Sequence, residues 1–202
     1  MADLDALLAD ADVLKLRSAL ESHKPLRSEE EESVRKAAVA LIFRAGAGGR
    51  PELLFIKRSD YPGDPWSGQV AFPGGREEPG DASLVDTATR ETREETGLEL
   101  DRDGTFIGTL DDLRPRINRL PDVIVRPYVV LLGDCAPLIL SHEVAHAFWI
   151  PLAVLKETES WRDTPILARG IPISARAFHH EGNVIWGLTE RILGQLLGLL
   201  SE

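Results

Sequence analysis

The sequence predicts an α+β domain in which a mixed sheet lies between helices, an α/β/α sandwich. Three observations predict it. Short apolar runs of strand character open the folded part of the chain and recur beyond its middle. One long, heavily charged helical segment separates the two groups of runs. An amphipathic helix closes the chain.

Each element has its own signal. Residues 3–22 read as an amphipathic helix, with Leu4, Leu7, Leu8 and Leu14 near helical spacing. Glu29 to Glu32 are four consecutive acids, read as a solvated linker. The expected division is therefore an N-terminal helix and linker over residues 1–33 and the main domain over 34–202. Residues 37–43 and 53–57 read as strands joined by a glycine-rich hairpin loop, Ala45 to Pro51. Residues 61–68 hold two prolines and two glycines and read as loop. A short strand over 70–72 stops at Pro73-Gly74-Gly75. Asp81 is an N-cap candidate for a helix over 82–96, and Gly97 suits the left-handed position that ends it. Further strands are expected at 105–110, 123–132 and 148–150, and Pro151 can open a short helix through Lys156. In the last helix, 189–200, Ile192, Leu193, Leu196, Leu197 and Leu200 form one stripe. Gly194 and Gly198 form a G-x-x-x-G pattern, expected to permit close packing.

Composition narrows the function classes. The 202 residues carry a formal net charge of -10, which argues against nucleic acid or an anionic membrane as the main partner. No apolar run approaches the roughly 20 residues that span a bilayer. Met1 to Asp12 has acids where a secretory signal has bases, so a cytoplasmic location is expected. Cys135 is the single cysteine, which excludes an intramolecular disulfide and a zinc ribbon; it reads as a small buried hydrophobe. The N-terminal helix is a candidate homodimer surface.

The chemistry concentrates in Arg90-Glu91-Thr92-Arg93-Glu94-Glu95-Thr96-Gly97. On a helix Glu91, Glu94 and Glu95 share one face, being spaced i, i+3 and i+4. Crowded carboxylates repel one another unless a positive charge sits among them, and a hard divalent cation with oxygen ligands does this well. Arg90, four residues before Glu94, can pair with it or orient the cluster. A solvated acidic face is the bland alternative. Pro73-Gly74-Gly75 just upstream favours the functional reading, because such a loop lets backbone approach a ligand.

The stretch from Phe72-Pro73-Gly74-Gly75 to Gly97-Leu98 closely resembles the Nudix box. Gly75 is followed by five residues and Asp81, then by eight residues and Arg90, with Glu91, Glu94, Glu95, Gly97 and Leu98 on the pattern. Three departures stand out: Asp81 replaces a glutamate, one residue is inserted before Arg90, and Thr92 replaces an aliphatic residue. Leu53 to Ser59, Gly68 to Gly75 and Ile185 to Leu193 further resemble the coenzyme A pyrophosphatase branch. That branch has an arginine shortly before its Gly-Gln pair, where this sequence has Gly63 and Asp64.

The resemblance implies a Nudix fold and a metal-dependent hydrolase of nucleoside diphosphate derivatives. It implies that Glu91, Glu94 and Glu95 hold Mg²⁺ or Mn²⁺, with Arg90 beside them. Arg58, Gly74, Gly75 and Arg76 are the substrate-binding candidates, and Arg58, Arg76 and Arg90 the groups for a leaving phosphate. A box glutamate or Glu143 is the general-base candidate. The branch implies coenzyme A as substrate, with 4′-phosphopantetheine and adenosine 3′,5′-bisphosphate as products; ADP-ribose or a dinucleotide is the alternative. A non-catalytic binding module on the same fold is a further alternative, opposed by retention of all three box glutamates.

His142-Glu143-Val144-Ala145-His146 matches H-E-x-x-H, the zinc protease motif. That chemistry needs both histidines on one helix. The flanking residues 138–140 and 148–150 favour strand, and Pro151 follows closely. His179 and His180, beside Glu181-Gly182-Asn183, read as part of a surface hairpin.

Overall fold

The computed structural model describes all residues except 1, 30–33, 62–65, 116–121, 134–135, 169 and 202. Gly63, Asp64, Cys135 and most of the acidic linker thus lie outside the described residues.

A mixed seven-stranded sheet forms the centre. Its strands are β1 (Arg35–Ala45), β2 (Pro51–Arg58), β3 (Val70–Ala71), β4 (Gly74–Arg76), β5 (Gly104–Thr109), β6 (Val123–Leu132) and β7 (Val144–Pro151). β1 and β6 run parallel over nine registered pairs, and the other pairings are antiparallel. β2 pairs with the far end of β1, while β4 pairs with its beginning. β1 and β2 thereby splay apart, and the short β3 and β4 sit in the opening.

Helices cover both faces. One carries α3 (Leu84–Thr96) and α4 (Leu100–Asp103), packed through Leu84, Ala88, Leu98 and Leu100 onto Ala38, Ala40, Ile42 and Leu54. The other carries α1 (Ala2–Ala9), α2 (Ala11–Ser22) and α6 (Gly187–Ser201) over Leu41, Phe43, Leu53 and Phe55. The sandwich expected from the sequence is therefore present. A three-stranded sheet of β8 (Trp161–Ala168), β9 (Ile171–His180) and β10 (Asn183–Trp186) leads into α6 and joins the core through Phe178 and Ile185. A one-turn helix, α5 (Leu152–Leu155), follows β7. Among the described residues no helix is long and apolar enough to cross a membrane.

Several expectations are corrected. The helix expected over 3–22 is two helices, because the Asp10 carboxylate accepts from Asp12 N and Val13 N and caps a new one. Leu7, Val13, Leu16 and Leu20 turn into the core, so this apolar face is covered within the chain. The N-cap of α3 is Ser83, not Asp81, and the helix starts at Leu84: Ser83 Oγ accepts from Asp86 N at 3.3 Å, while Asp81 is held elsewhere. Gly194 and Gly198 are not packing contacts among the described residues, since a Cβ on either would meet none of them within 4 Å. His142 lies in a turn and His146 on strand β7, paired with Lys57, so H-E-x-x-H has no helix to converge its histidines. Residue-by-residue pairing of β7 with β2 overrides any local helical tendency there. His180 to Asn183 do form a hairpin turn, as expected.

Candidate active site

Glycine at two successive positions lets β4 lie close against β1 at Gly74 and against α3 at Gly75. Gly74 has φ 145°, a conformation that side chains disfavour, and a Cβ there would lie 2.2 Å from the Ala38 carbonyl oxygen. A Cβ on Gly75 would lie 2.5 Å from the Glu91 carboxylate. The carboxylate face of α3 therefore rests directly on bare backbone. Gly97, at φ 74°, ends the helix as expected, its N–H donating to Arg93 O.

The three glutamates share this face but differ in environment. Glu95 is 3% exposed, and its Oε2 accepts from Gly74 N at 2.9 Å. Arg58 Nη1, at the end of β2, lies 3.7 Å from Glu95 Oε1. Burial pushes the Glu95 pKa up to about 8; the Gly74 N–H opposes the shift, the charge of Glu91 adds to it, Arg58 opposes it, and Glu143 adds to it. Glu91 is half-buried and likewise raised, first by burial, against the pull of Arg90 and with the repulsion of Glu94 and Glu143. Glu94 lies at the exposed rim.

Arg90 organises the cluster. Its Nε donates to Asp81 Oδ1 at 2.9 Å and its Nη2 to Asp81 Oδ2 at 3.0 Å. Nη2 also donates to Arg76 O at 2.9 Å, and Nη1 to Glu91 Oε1 at 3.1 Å and Glu94 Oε2 at 3.3 Å. Asp81 accepts further from Thr87 Oγ1 and Glu78 N, both at 2.9 Å. The Arg90 hydrogen bonds hold the Asp81 carboxyl well below its usual range and the Arg90 guanidinium above its own. Asp81 thus anchors Arg90, and the loop before it closes between Glu78 and Asp81.

The structure brings together Arg58, Gly74, Gly75, Arg90, Glu91, Glu94 and Glu95. Arg76 joins them through its carbonyl oxygen. Glu143 lies in the turn before β7, near enough for its charge to act on both Glu91 and Glu95. Sequence reasoning missed Ser59 and Ser141, which fasten that turn. Ser59 N–H donates to Glu143 O, and Ser141 N–H to Glu95 O. Neither has a local pattern, because the contacts join residues far apart in the chain.

Carboxylate oxygens from one helix face, in excess of local positive charge, are the donor chemistry of a hard divalent cation. Among the described residues no three acidic or histidine side chains converge into a ready ligand cage. Arg90 instead holds the oxygens of Glu91 and Glu94. The donors fit such an ion in kind, with Arg90 as their internal counter-charge.

Known proteins share these features. Residues 34–170 match the family model described as the NUDIX domain. The human mitochondrial coenzyme A diphosphatase NUDT8 is 33% identical over 169 residues, covering 82% of this chain and 70% of that protein. The Nudix hydrolase NudL of Yersinia pestis is 34% identical over 152 residues, covering 75% of this chain and 73% of its own length. A solved Ap4A hydrolase from C. elegans superposes with a TM-score of 0.50 at 27% identity, over 59% of this chain and 82% of that one. A MutT/nudix family protein from Enterococcus faecalis shares the fold at a TM-score of 0.56 and 18% identity, over 98% of this chain and 73% of the other. The box, the sandwich that carries it and these relatives lead to one assignment: the chain belongs to the Nudix hydrolases.

Proposed function

We propose that this Nudix hydrolase cleaves the pyrophosphate of coenzyme A or its derivatives, releasing 4′-phosphopantetheine and adenosine 3′,5′-bisphosphate. The observation that carries the substrate is the 33% identity to a coenzyme A diphosphatase across 82% of this chain. The stretches Leu53 to Ser59, Gly68 to Gly75 and Ile185 to Leu193 support the same branch.

Nudix hydrolases generally use divalent cations, and here Glu91, Glu94 and Glu95 would hold Mg²⁺ or Mn²⁺. When bound, such a cation neutralises pyrophosphate charge and acidifies water. The chain's own groups do the rest. Arg90, engaged by five hydrogen bonds, orients Glu91 and Glu94. Arg58 and Arg76 would receive substrate phosphate. Gly75 lets the Glu91 carboxylate lie against bare backbone, and the Gly74 N–H holds Glu95. Glu143 acts as general base, taking a proton from the water as its oxygen bonds to phosphorus and the bridging P–O bond breaks.

A second reading, ADP-ribose, has a specific basis. Gly63 and Asp64 stand where the coenzyme A branch has an arginine. Loss of one charge-assisted hydrogen bond to phosphate costs roughly 1.5–3 kcal/mol, about ten- to a hundredfold in specificity. We therefore expect coenzyme A and dephospho-coenzyme A to be turned over with kcat/KM values within about tenfold of each other. The test compares both compounds with ADP-ribose under Mg²⁺ and under Mn²⁺. Rapid loss of ADP-ribose with neither coenzyme consumed rejects the coenzyme A reading.

A further inference from the structure

Glu143 is exposed and sits in the two-residue turn that precedes β7. An exposed loop carboxylate would ordinarily sample many positions, and a shift of about 1 Å at a reacting group can lower a rate a hundredfold. Here the loop is fastened on two sides. On the helix side, Ile139 N–H donates to Thr96 O at 2.9 Å and Ser141 N–H to Glu95 O at 3.2 Å, tying the approach to the end of α3. On the sheet side, Ser59 follows the last residue of β2. Its N–H donates to Glu143 O at 2.8 Å, and its hydroxyl donates to His142 O, also at 2.8 Å. The register shifts between Lys57 and Arg58, so strand pairing loosens where Ser59 takes over.

We propose that Ser59 is the positioning residue for Glu143. It holds two consecutive main-chain carbonyls, those of His142 and Glu143, and so fixes the turn that carries Glu143 beside the end of α3. The proposal rests on the reading of Glu143 as general base. It also gives His142 a structural part in place of zinc ligation: its carbonyl oxygen receives the Ser59 hydroxyl. Serine suits the position because one residue supplies two donors at adjacent carbonyls. Alanine keeps the N–H donor and removes the other.

The test is a double-mutant cycle on the full chain, read as kcat and KM with Mg²⁺. The substrate is whichever of coenzyme A and ADP-ribose the wild type consumes faster. Ser59→Ala should lower kcat about tenfold with KM within about twofold, and Ser59→Thr, which keeps a hydroxyl, should recover most of that loss. In a Glu143→Gln background, Ser59→Ala should change kcat by less than about twofold, because the group it positions is already disabled. Wild-type kcat in Ser59→Ala beside an impaired Glu143→Gln overturns the positioning role and leaves the base in place. An undiminished tenfold loss in the Glu143→Gln background also overturns it, since Ser59 would then act through another group. Wild-type kcat in Glu143→Gln removes the base reading itself, and the positioning role with it.

Discussion

Gly75 decides where the Glu91 carboxylate can stand. A methyl group there would overlap the Glu91 carboxylate, the far end of a flexible side chain, whereas a methyl on Gly74 would strike the Ala38 carbonyl. The two glycines should therefore fail differently. Gly75→Ala should fold with a melting temperature within a few degrees of wild type yet lose tenfold or more in kcat/KM, because Glu91 must move off the cluster. Gly74→Ala should lose stability first, since both the contact and the φ of 145° oppose a side chain. Glu94→Gln is the reference point: it keeps size and removes charge, so its loss should be on the order of a thousandfold in rate. Kinetics and thermal melts on the three variants check this, and wild-type turnover in both Gly75→Ala and Glu94→Gln would remove the carboxylate face from the chemistry. Thr92, the departure inside the box, is buried, and its hydroxyl has no hydrogen-bond partner among the described residues. It sits where an aliphatic side chain would pack and makes no contribution to the carboxylate face.

Elements were legible where one segment carries its own signal. Glu91, Glu94 and Glu95 could be placed together because a single helix fixes their spacing, and Gly97 marked the end of that helix unaided. The start of α3 was misread because Asp81 and Ser83 are both good caps, and the choice depended on Arg90, nine residues beyond Asp81, claiming that carboxylate. β8 and β9 were not foreseen. No residue of β8 is buried and β9 buries only Ala177 and Phe178, so neither presents the apolar face that marks a strand in sequence. α6 gives the element-scale prediction. Gly194 and Gly198 lie exposed in its interior, and a Cβ at either meets open space. Glycine in a helix interior costs about 1 kcal/mol relative to alanine. Gly194→Ala should therefore raise the melting temperature by roughly 2–4 °C, and Gly198→Ala, nearer the chain end, by less. A fall on either substitution, measured by calorimetry on the purified chain, would show that something outside this chain packs against the helix.

At the scale of the molecule, two adjacent acids join parts that are remote in sequence, and no local pattern announces them. Asp111 Oδ1 accepts from Leu26 N at 2.9 Å and meets His23 Nε2 at 3.0 Å, while its own N–H donates to Gln195 of α6. Asp112, its carboxylate fully enclosed, receives both arms of Arg126 at 2.9 Å, Arg27 Nη1 at 3.1 Å and Ser28 N at 3.1 Å. Residues 23–28 are thus strapped to β6 and the last helix. Burial alone would raise the Asp112 pKa, but the Arg126 hydrogen bonds, the Ser28 N–H and the charges of Arg126 and Arg27 outweigh it, and the net shift is downward. For a carboxyl lowered on folding, the stabilisation is fully present above the ordinary carboxylate pKa of about 3.9 and is lost as pH falls through the lower, folded value. Breaking a buried ion pair from one side costs about 3 kcal/mol, so Asp112→Asn should lower the melting temperature at pH 7 by roughly 6–12 °C. The gap should narrow steadily below pH 4, as the wild-type carboxyl gains its own proton. Hydrogen exchange at residues 26–28 should quicken in the variant at pH 7, reporting release of the strap. An equal melting gap at pH 7 and pH 3 would show that Asp112 acts through packing alone and that its charge does not hold the N-terminal segment in place.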